Sequence, residues 1–112
     1  MTVNVQLPPQ FYRVADRLKK KYPHILDDLL PLLEQLSAGE TPGDRLQEIT
    51  PYIVYKVRVK NSDARKGRRG GYRVVYYLKT KDHVLLVTIY TKTDTDVLPI
   101  ETIRSIIDEI EP

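Results

Sequence analysis

The chain of 112 residues contains no cysteine. That excludes a disulfide framework and any thiolate-held metal, and it fits a reducing compartment. Long hydrophobic runs are also missing, since no apolar stretch reaches the ~18 residues of a membrane span. The opening MTVNVQLPPQ has neither the basic segment nor the apolar stretch of a secretory signal. The expected setting is the cytoplasm, with no membrane partner. No internal repeat is present, and no low-complexity stretch beyond one basic run. The phosphate-loop pattern G-x-x-x-x-G-K-[ST] is absent. His24 and His83 have no partner at ligand spacing. Asp94 and Asp96 form a D-x-D, a pattern that more often caps a turn leading into a helix than holds Mg²⁺. No metal and no small-molecule cofactor is expected.

What is present is one domain's worth of chain, with an ordinary hydrophobic fraction of 41%. The charge is segregated. Residues 1–55 carry six Lys/Arg against seven Asp/Glu, residues 56–93 eleven against two, and residues 94–112 one against six. The net values are −1, +9 and −5, which sum to the formal +3 of the whole chain. A basic middle of this kind points to a polyanionic partner. The acidic end is able to pack beside that middle and offset it.

Hydrophobic period gives the order of elements. Val3, Val5 and Leu7 alternate as a short strand that Pro8 and Pro9 end. Phe11, Val14, Ala15, Leu18 and Tyr22 then recur at helical spacing. Pro23 breaks that helix and opens a second, in which Ile25, Leu26, Leu29, Leu30, Leu33 and Leu36 make a broad apolar face. Gly39 is the expected stop. Pro31 inside this helix predicts a kink or restart, because an interior proline costs roughly 3 kcal/mol. After the turn-rich ETPGD the period changes from about 3.6 to 2. Strands are expected over residues 52–60, 71–79 and 83–91, with the short link TKDH between the last two. Ile100, Ile103, Ile107 and Ile110 space a closing helix. The fold class is α+β: two helices, then an antiparallel three-stranded meander with a possible fourth strand from the N-terminus, then a helix.

The residues between the first two of these strands form the motif of interest. RKGRRGGYR, residues 65–73, packs five cations and three glycines into nine positions. Alternation puts Lys56, Arg58 and Lys60 on one face of the preceding strand, and Arg73, Tyr77 and Lys79 on one face of the next. Arg65, Lys66, Arg68 and Arg69 add charge on backbone that glycine lets approach a phosphate closely. Cations with aromatic rings on a sheet suit single-stranded RNA, whose phosphates they neutralise and whose bases they stack. The competing reading is a solvated hairpin tip with surface charges. The strand-borne Lys56, Arg58 and Arg73 favour RNA.

The order of elements, the strand YKVRV, the strand GGYRVVYY preceded by a K-G-x-R-G-G run, and the strand VLLVTIYTK resemble the RelE/ParE superfamily of bacterial toxins. The resemblance is greatest to its RelE and HigB-like branch. It covers most of the chain and is strongest from about Leu46 to Leu98. It implies a small twisted antiparallel sheet packed on an N-terminal helical hairpin, with a C-terminal helix, as a single domain over residues 1–112. It also implies a ribosome-dependent mRNA endoribonuclease that needs no metal, with mRNA, the ribosome and its rRNA, and a cognate antitoxin protein as partners. Carried over by position, the catalytic cations are Lys56, Arg58 and Arg73, and less closely Lys92. Lys56 is the candidate base, and Lys92 or Tyr77 the candidate acid or stacking group. RelE-type members place an arginine just after the third strand and a tyrosine near the last helix, whereas TKTDTDVLP has neither. Two alternatives share the fold: a non-catalytic RNA- or ribosome-binding module, and a ParE-like inhibitor of DNA gyrase. ParE-like chains generally lack such a cationic strand cluster.

Overall fold

The change of period near Tyr52 is a change from helix to sheet. A computed structural model describes residues 2–64, 71–92, 94–95 and 97–111. The elements in chain order are β1 (Asn4–Gln6), α1 (Pro9–Lys19), α2 (Ile25–Ser37), β2 (Asp44–Arg45), a short 3₁₀ turn (Gln47–Ile49), β3 (Ile53–Val59), β4 (Tyr72–Thr80), β5 (His83–Thr91) and α3 (Ile100–Ile110). The strands form one sheet in the order β1-β5-β4-β3-β2. β1 runs parallel to β5 and the other pairs are antiparallel. The expected meander is therefore present, with the N-terminal strand added at one edge and the unforeseen β2 at the other.

The α1–α2 hairpin covers one face of the sheet. Phe11, Ala15, Ile25, Leu29, Leu32 and Leu36 pack on Tyr72, Val74, Tyr76, Val84, Leu86 and Ile89. Pro9 sits in the first turn of α1, where a missing N–H costs nothing. Of the two outcomes expected at Pro31, a kink or a restart, the restart does not occur. A single helix runs from Ile25 to Ser37 with Pro31 inside it. Its ring lies on the exposed side, while Leu29, Leu32 and Leu36 hold the helix from the buried side. The apolar face of α2 is also narrower than its sequence implies, for Leu26 and Leu30 remain 42% and 51% exposed. Gly39 follows the helix at φ +91, as a C-terminal stop requires.

Among the described residues, α3 covers one end of the second face of the sheet. There Ile103 and Ile107 of α3, with Ile49, pack on Val54, Val75, Tyr77, Leu85 and Val87. Tyr52 meets Tyr77 edge to face at 5.4 Å and donates its hydroxyl to Asp108 of α3 at 2.9 Å.

Two local features place the candidate groups. The β4–β5 register slips between Val75 and Tyr76, so that Val75 pairs with Thr88 and Tyr76 with Leu86. Val87 is the extra residue of this bulge. Val84, Leu86 and Ile89 consequently face the hairpin, while Leu85, Val87 and Tyr90 face the other way. Simple alternation would have put Tyr90 with Leu86. The second feature is Gly43, at φ +96. A side chain there would collide with the carbonyl oxygen of Lys56 and come within 2.8 Å of the Val57 Cβ. Glycine alone lets the chain enter β2 this close to β3.

Candidate nucleic-acid interface

At the end of the second face that α3 leaves bare, three strands align their side chains in one row. Arg58 of β3 pairs with Arg73 of β4, and Arg73 with Tyr90 of β5. The neighbouring row begins at Lys56, which pairs with Val75 on one side and Asp44 of β2 on the other. Asp44, Lys56, Val57, Arg58 and Arg73 line a cleft of about 200 Å³. Arg58 is exposed, and Lys56 and Arg73 are half-buried.

Like charges directly opposite on paired strands are destabilising. Arg58 and Arg73 are such a pair, and among the described residues neither forms an ion pair. Among the described residues the only carboxylate lining the cleft is Asp44. A sequence that places two arginines together without a salt bridge breaks a local rule of sheet design. Such breaks concentrate at functional sites.

The guanidinium of Arg73 is held in place from just before its own strand, donating from Nη1 to the carbonyl of Gly71 at 2.7 Å. Among the described residues its remaining donors meet no other partner, and its planar fork can hold two oxygens of a phosphate. Tyr90 is 6% exposed. Burial raises its pKa, and the charge of Arg73 acts in the opposite direction.

The root of the basic connection is anchored to the start of α2. The Asp28 carboxylate accepts from the Ser62 N–H at 2.9 Å and the Ser62 hydroxyl at 3.1 Å. Asp63 accepts the His24 backbone N–H and pairs with its Nδ1, both at 2.8 Å. The hydrogen bond to Asp63 and its charge raise the pKa of His24, while the same bonds lower that of Asp63. His24 is thus a structural tie, as its lack of ligand partners in the sequence implied. Arg65, Lys66, Arg68 and Arg69 lie outside the described residues, as does Asp96. Asp94 caps the end of β5, accepting the N–H and hydroxyl of Thr91 at 3.0 Å each.

The other candidate residues are dispersed. Lys60 is exposed just past β3, and Lys92 is exposed just past β5, neither lining the cleft. Lys79 belongs to the far end of β4, six residues or ~20 Å from Arg73, and forms an ion pair with Glu111 at 3.1 Å. Tyr77 does not stand on an open basic face. It is 9% exposed, under Tyr52 and α3, because the helix covers that end of the sheet. No base can stack on its ring in this arrangement.

Two site groups escaped the sequence reading. Asp44 sits in a strand of only two residues, too short to leave an alternation signal. Tyr90 was concealed by the bulge, which reverses its face.

No family model matches the chain, and no curated protein matches it by sequence. The fold itself does have a counterpart among solved structures. The free-state structure of a double mutant of the E. coli toxin RelE superposes with a TM-score of 0.57, at 16% identity and over 100% of both chains. This chain has a RelE-like fold.

Proposed function

We infer that this protein is the toxin of a type II toxin–antitoxin pair, acting in the cytoplasm as an endoribonuclease on mRNA in the ribosome. The observation that carries the reading is the Arg58–Arg73 pair facing Lys56 and Asp44 in one open cleft. Among the described residues no carboxylate pairs with either of these two arginines, which stand opposite one another. A phosphodiester would pair with both.

The chemistry needs no metal. The RNA 2′-hydroxyl attacks the adjacent phosphorus and the bond to the 5′-oxygen breaks. A 2′,3′-cyclic phosphate and a free 5′-hydroxyl result. The reaction requires alignment, stabilisation of the crowded anionic phosphorane, and movement of two protons. Arg73 and Arg58 supply the paired N–H donors for the phosphorane oxygens. Asp44 and Lys56, opposite each other on paired strands, supply a proton acceptor and a donor at one side of the cleft. Lys56 as the acceptor is the alternative assignment. The cations of residues 65–69, with Lys60 and Lys92, serve affinity for mRNA and rRNA. A cognate antitoxin with acidic or apolar segments would be drawn to the same surface by charge complementarity.

The deciding experiment maps mRNA 5′ ends after induction. Wild-type protein produces new ends inside coding regions. Arg73→Ala removes them, since loss of one such donor typically lowers the rate by ~10²–10³. Arg73→Lys restores only part, because lysine offers a point charge without the planar fork. Melting temperature changes little in either variant. Undiminished cleavage by Arg73→Ala would refute the assignment. Association with ribosomes without any cleavage by wild type would favour the non-catalytic module.

A further inference from the structure

Beyond Tyr90 the row runs off the edge of the sheet into a second cleft. It lies between α1, the outer edge of β5 and the segment that follows β5, and measures about 510 Å³. That is within the range of about 300–1,000 Å³ typical of small-ligand sites. Its walls come from Val14, Leu18 and Leu98, its floor from Ile89 and Tyr90.

This cleft exists because β1 is short. β1 covers β5 only from His83 to Leu85, so among the described residues the rest of that strand edge has no neighbouring strand. The direction of its backbone groups follows from the bonds at Thr91. The Thr91 N–H donates to the Asp94 carboxylate, and its carbonyl accepts from the N–H groups of Asp94 and Thr95 at 3.0 and 3.3 Å. Thr91 therefore turns its backbone away from its cross-strand partner Tyr72 and occupies a non-hydrogen-bonded position of the ladder. Ile89 pairs with Val74 in the same unbroken register two residues earlier. In an antiparallel ladder such positions alternate, so the Ile89 N–H and C=O also point outward, into the cleft. Among the described residues no hydrogen-bonding partner meets them there. One donor and one acceptor stand side by side on an apolar floor.

Two cations overlook this pair. Arg17 and Lys21 are exposed on α1 and line the cleft, and among the described residues neither has a carboxylate partner. The nearby carboxylate of Asp94 is already engaged with Thr91.

We propose that this cleft holds one unpaired RNA base, read by the Ile89 backbone N–H and C=O and flanked by Tyr90, with Arg17 and Lys21 gripping the adjoining phosphates. The inference rests on the RNA-cleaving function argued above and extends it, adding a base subsite next to the phosphate cleft. A single outward amide pair favours a base over an added protein strand. Strand addition draws on several consecutive outward pairs, whereas here β1 closes one end of the edge and the Asp94 turn the other. Every base carries a donor and an acceptor side by side on its Watson–Crick edge, and in a duplex that edge is occupied. The site therefore selects for unpaired nucleotides rather than for a sequence.

The test is amide-resolved NMR of the full chain, titrated with a single-stranded RNA hexamer and with the same strand annealed to its complement. The expected result is a shift of the Ile89 amide with the single strand and none with the duplex. Arg17→Ala combined with Lys21→Ala should lower the slope of log affinity against log salt by about 1.4, two phosphates at ~0.7 each. If amides around Arg73 shift while Ile89 stays still and the slope is unchanged, the base subsite is wrong and the phosphate cleft stands. If the hexamer binds nowhere and Arg73→Ala still cleaves mRNA at the wild-type rate, the functional reading falls and the subsite falls with it. If a partner protein shifts Ile89 where RNA does not, the edge is a strand-docking site and the proposal is overturned.

Discussion

The two ends of the same sheet face make opposite use of one strand pattern. At the end near Tyr77, α3 lays Ile103 and Ile107 on Val54 and Leu85. Among the described residues no helix arrives at the end near Arg73, and the equivalent positions of the same strands carry Lys56, Arg58 and Arg73. Burial on the covered side supplies stability. Retained charge on the bare side opposes it, since like cations face one another across the ladder. The division predicts that substitutions separate cleanly: those under α3 act on folding, those in the cleft on chemistry.

The largest expected effect tests the covered end. Ile107 is fully buried, and Ile107→Ala should lower stability by about 2–5 kcal/mol, read by urea denaturation. Folded molecules of this variant should keep their RNA affinity. A fall in affinity without a fall in stability would break the division between the two ends. Next is Asp44→Asn in the bare end. Loss of a positioned proton acceptor typically costs ~10²–10⁴ in rate. Removing a negative charge from a cationic cleft should at the same time tighten RNA binding. A rate unchanged by Asp44→Asn would return the acceptor role to Lys56.

Smaller effects probe the boundaries. The Lys79–Glu111 pair joins the end of β4 to the residue after α3, with both side chains partly exposed. A double-mutant cycle should give a coupling of about 0.2–1 kcal/mol that shrinks with added salt. Cleavage should be unaffected, because Lys79 lies outside the cleft. The smallest effect concerns the His24–Asp63 tie. His24 titrates above its ordinary 6.5, and Asp63 below its ordinary 3.8. The histidine's contribution is complete below pH 6.5 and is lost as pH rises through its raised value. The aspartate's contribution is complete above pH 3.8 and is lost as pH falls through its lowered value. The tie is therefore strongest between these limits. NMR titration should show the His24 pKa falling back in Asp63→Asn. An unaltered His24 titration in that variant would remove Asp63 as the cause.

Much of this arrangement was legible in residue order, because period and punctuation are local. The switch from helix to strand at Tyr52, the stop at Gly39 and the isoleucine stripe of α3 each depend on neighbours a few positions away. What could not be read depended on distant packing. Tyr77 alternates with core residues and so belongs to the second face, but only the docking of α3 decides that this end is dry. Tyr90 lies in a strand that is apolar on both faces, and one extra residue at Val87 reverses its parity without any glycine or proline to announce it. Pro31 fell foul of a propensity that tertiary burial of Leu29, Leu32 and Leu36 outweighs. Asp44 sat in a turn-rich stretch whose strand character exists only beside Lys56.

Gly43 carries a last consequence. Because it has no side chain, β2 reaches β3, and Asp44 is set opposite Lys56. The formal charge of the cleft is then +2, three cations less one carboxylate, instead of +3. Any larger residue at position 43 would displace that carboxylate and leave the cations to repel one another. A residue without a charge, or even a Cβ, thus sets the electrical balance of the cleft through the handedness of its backbone.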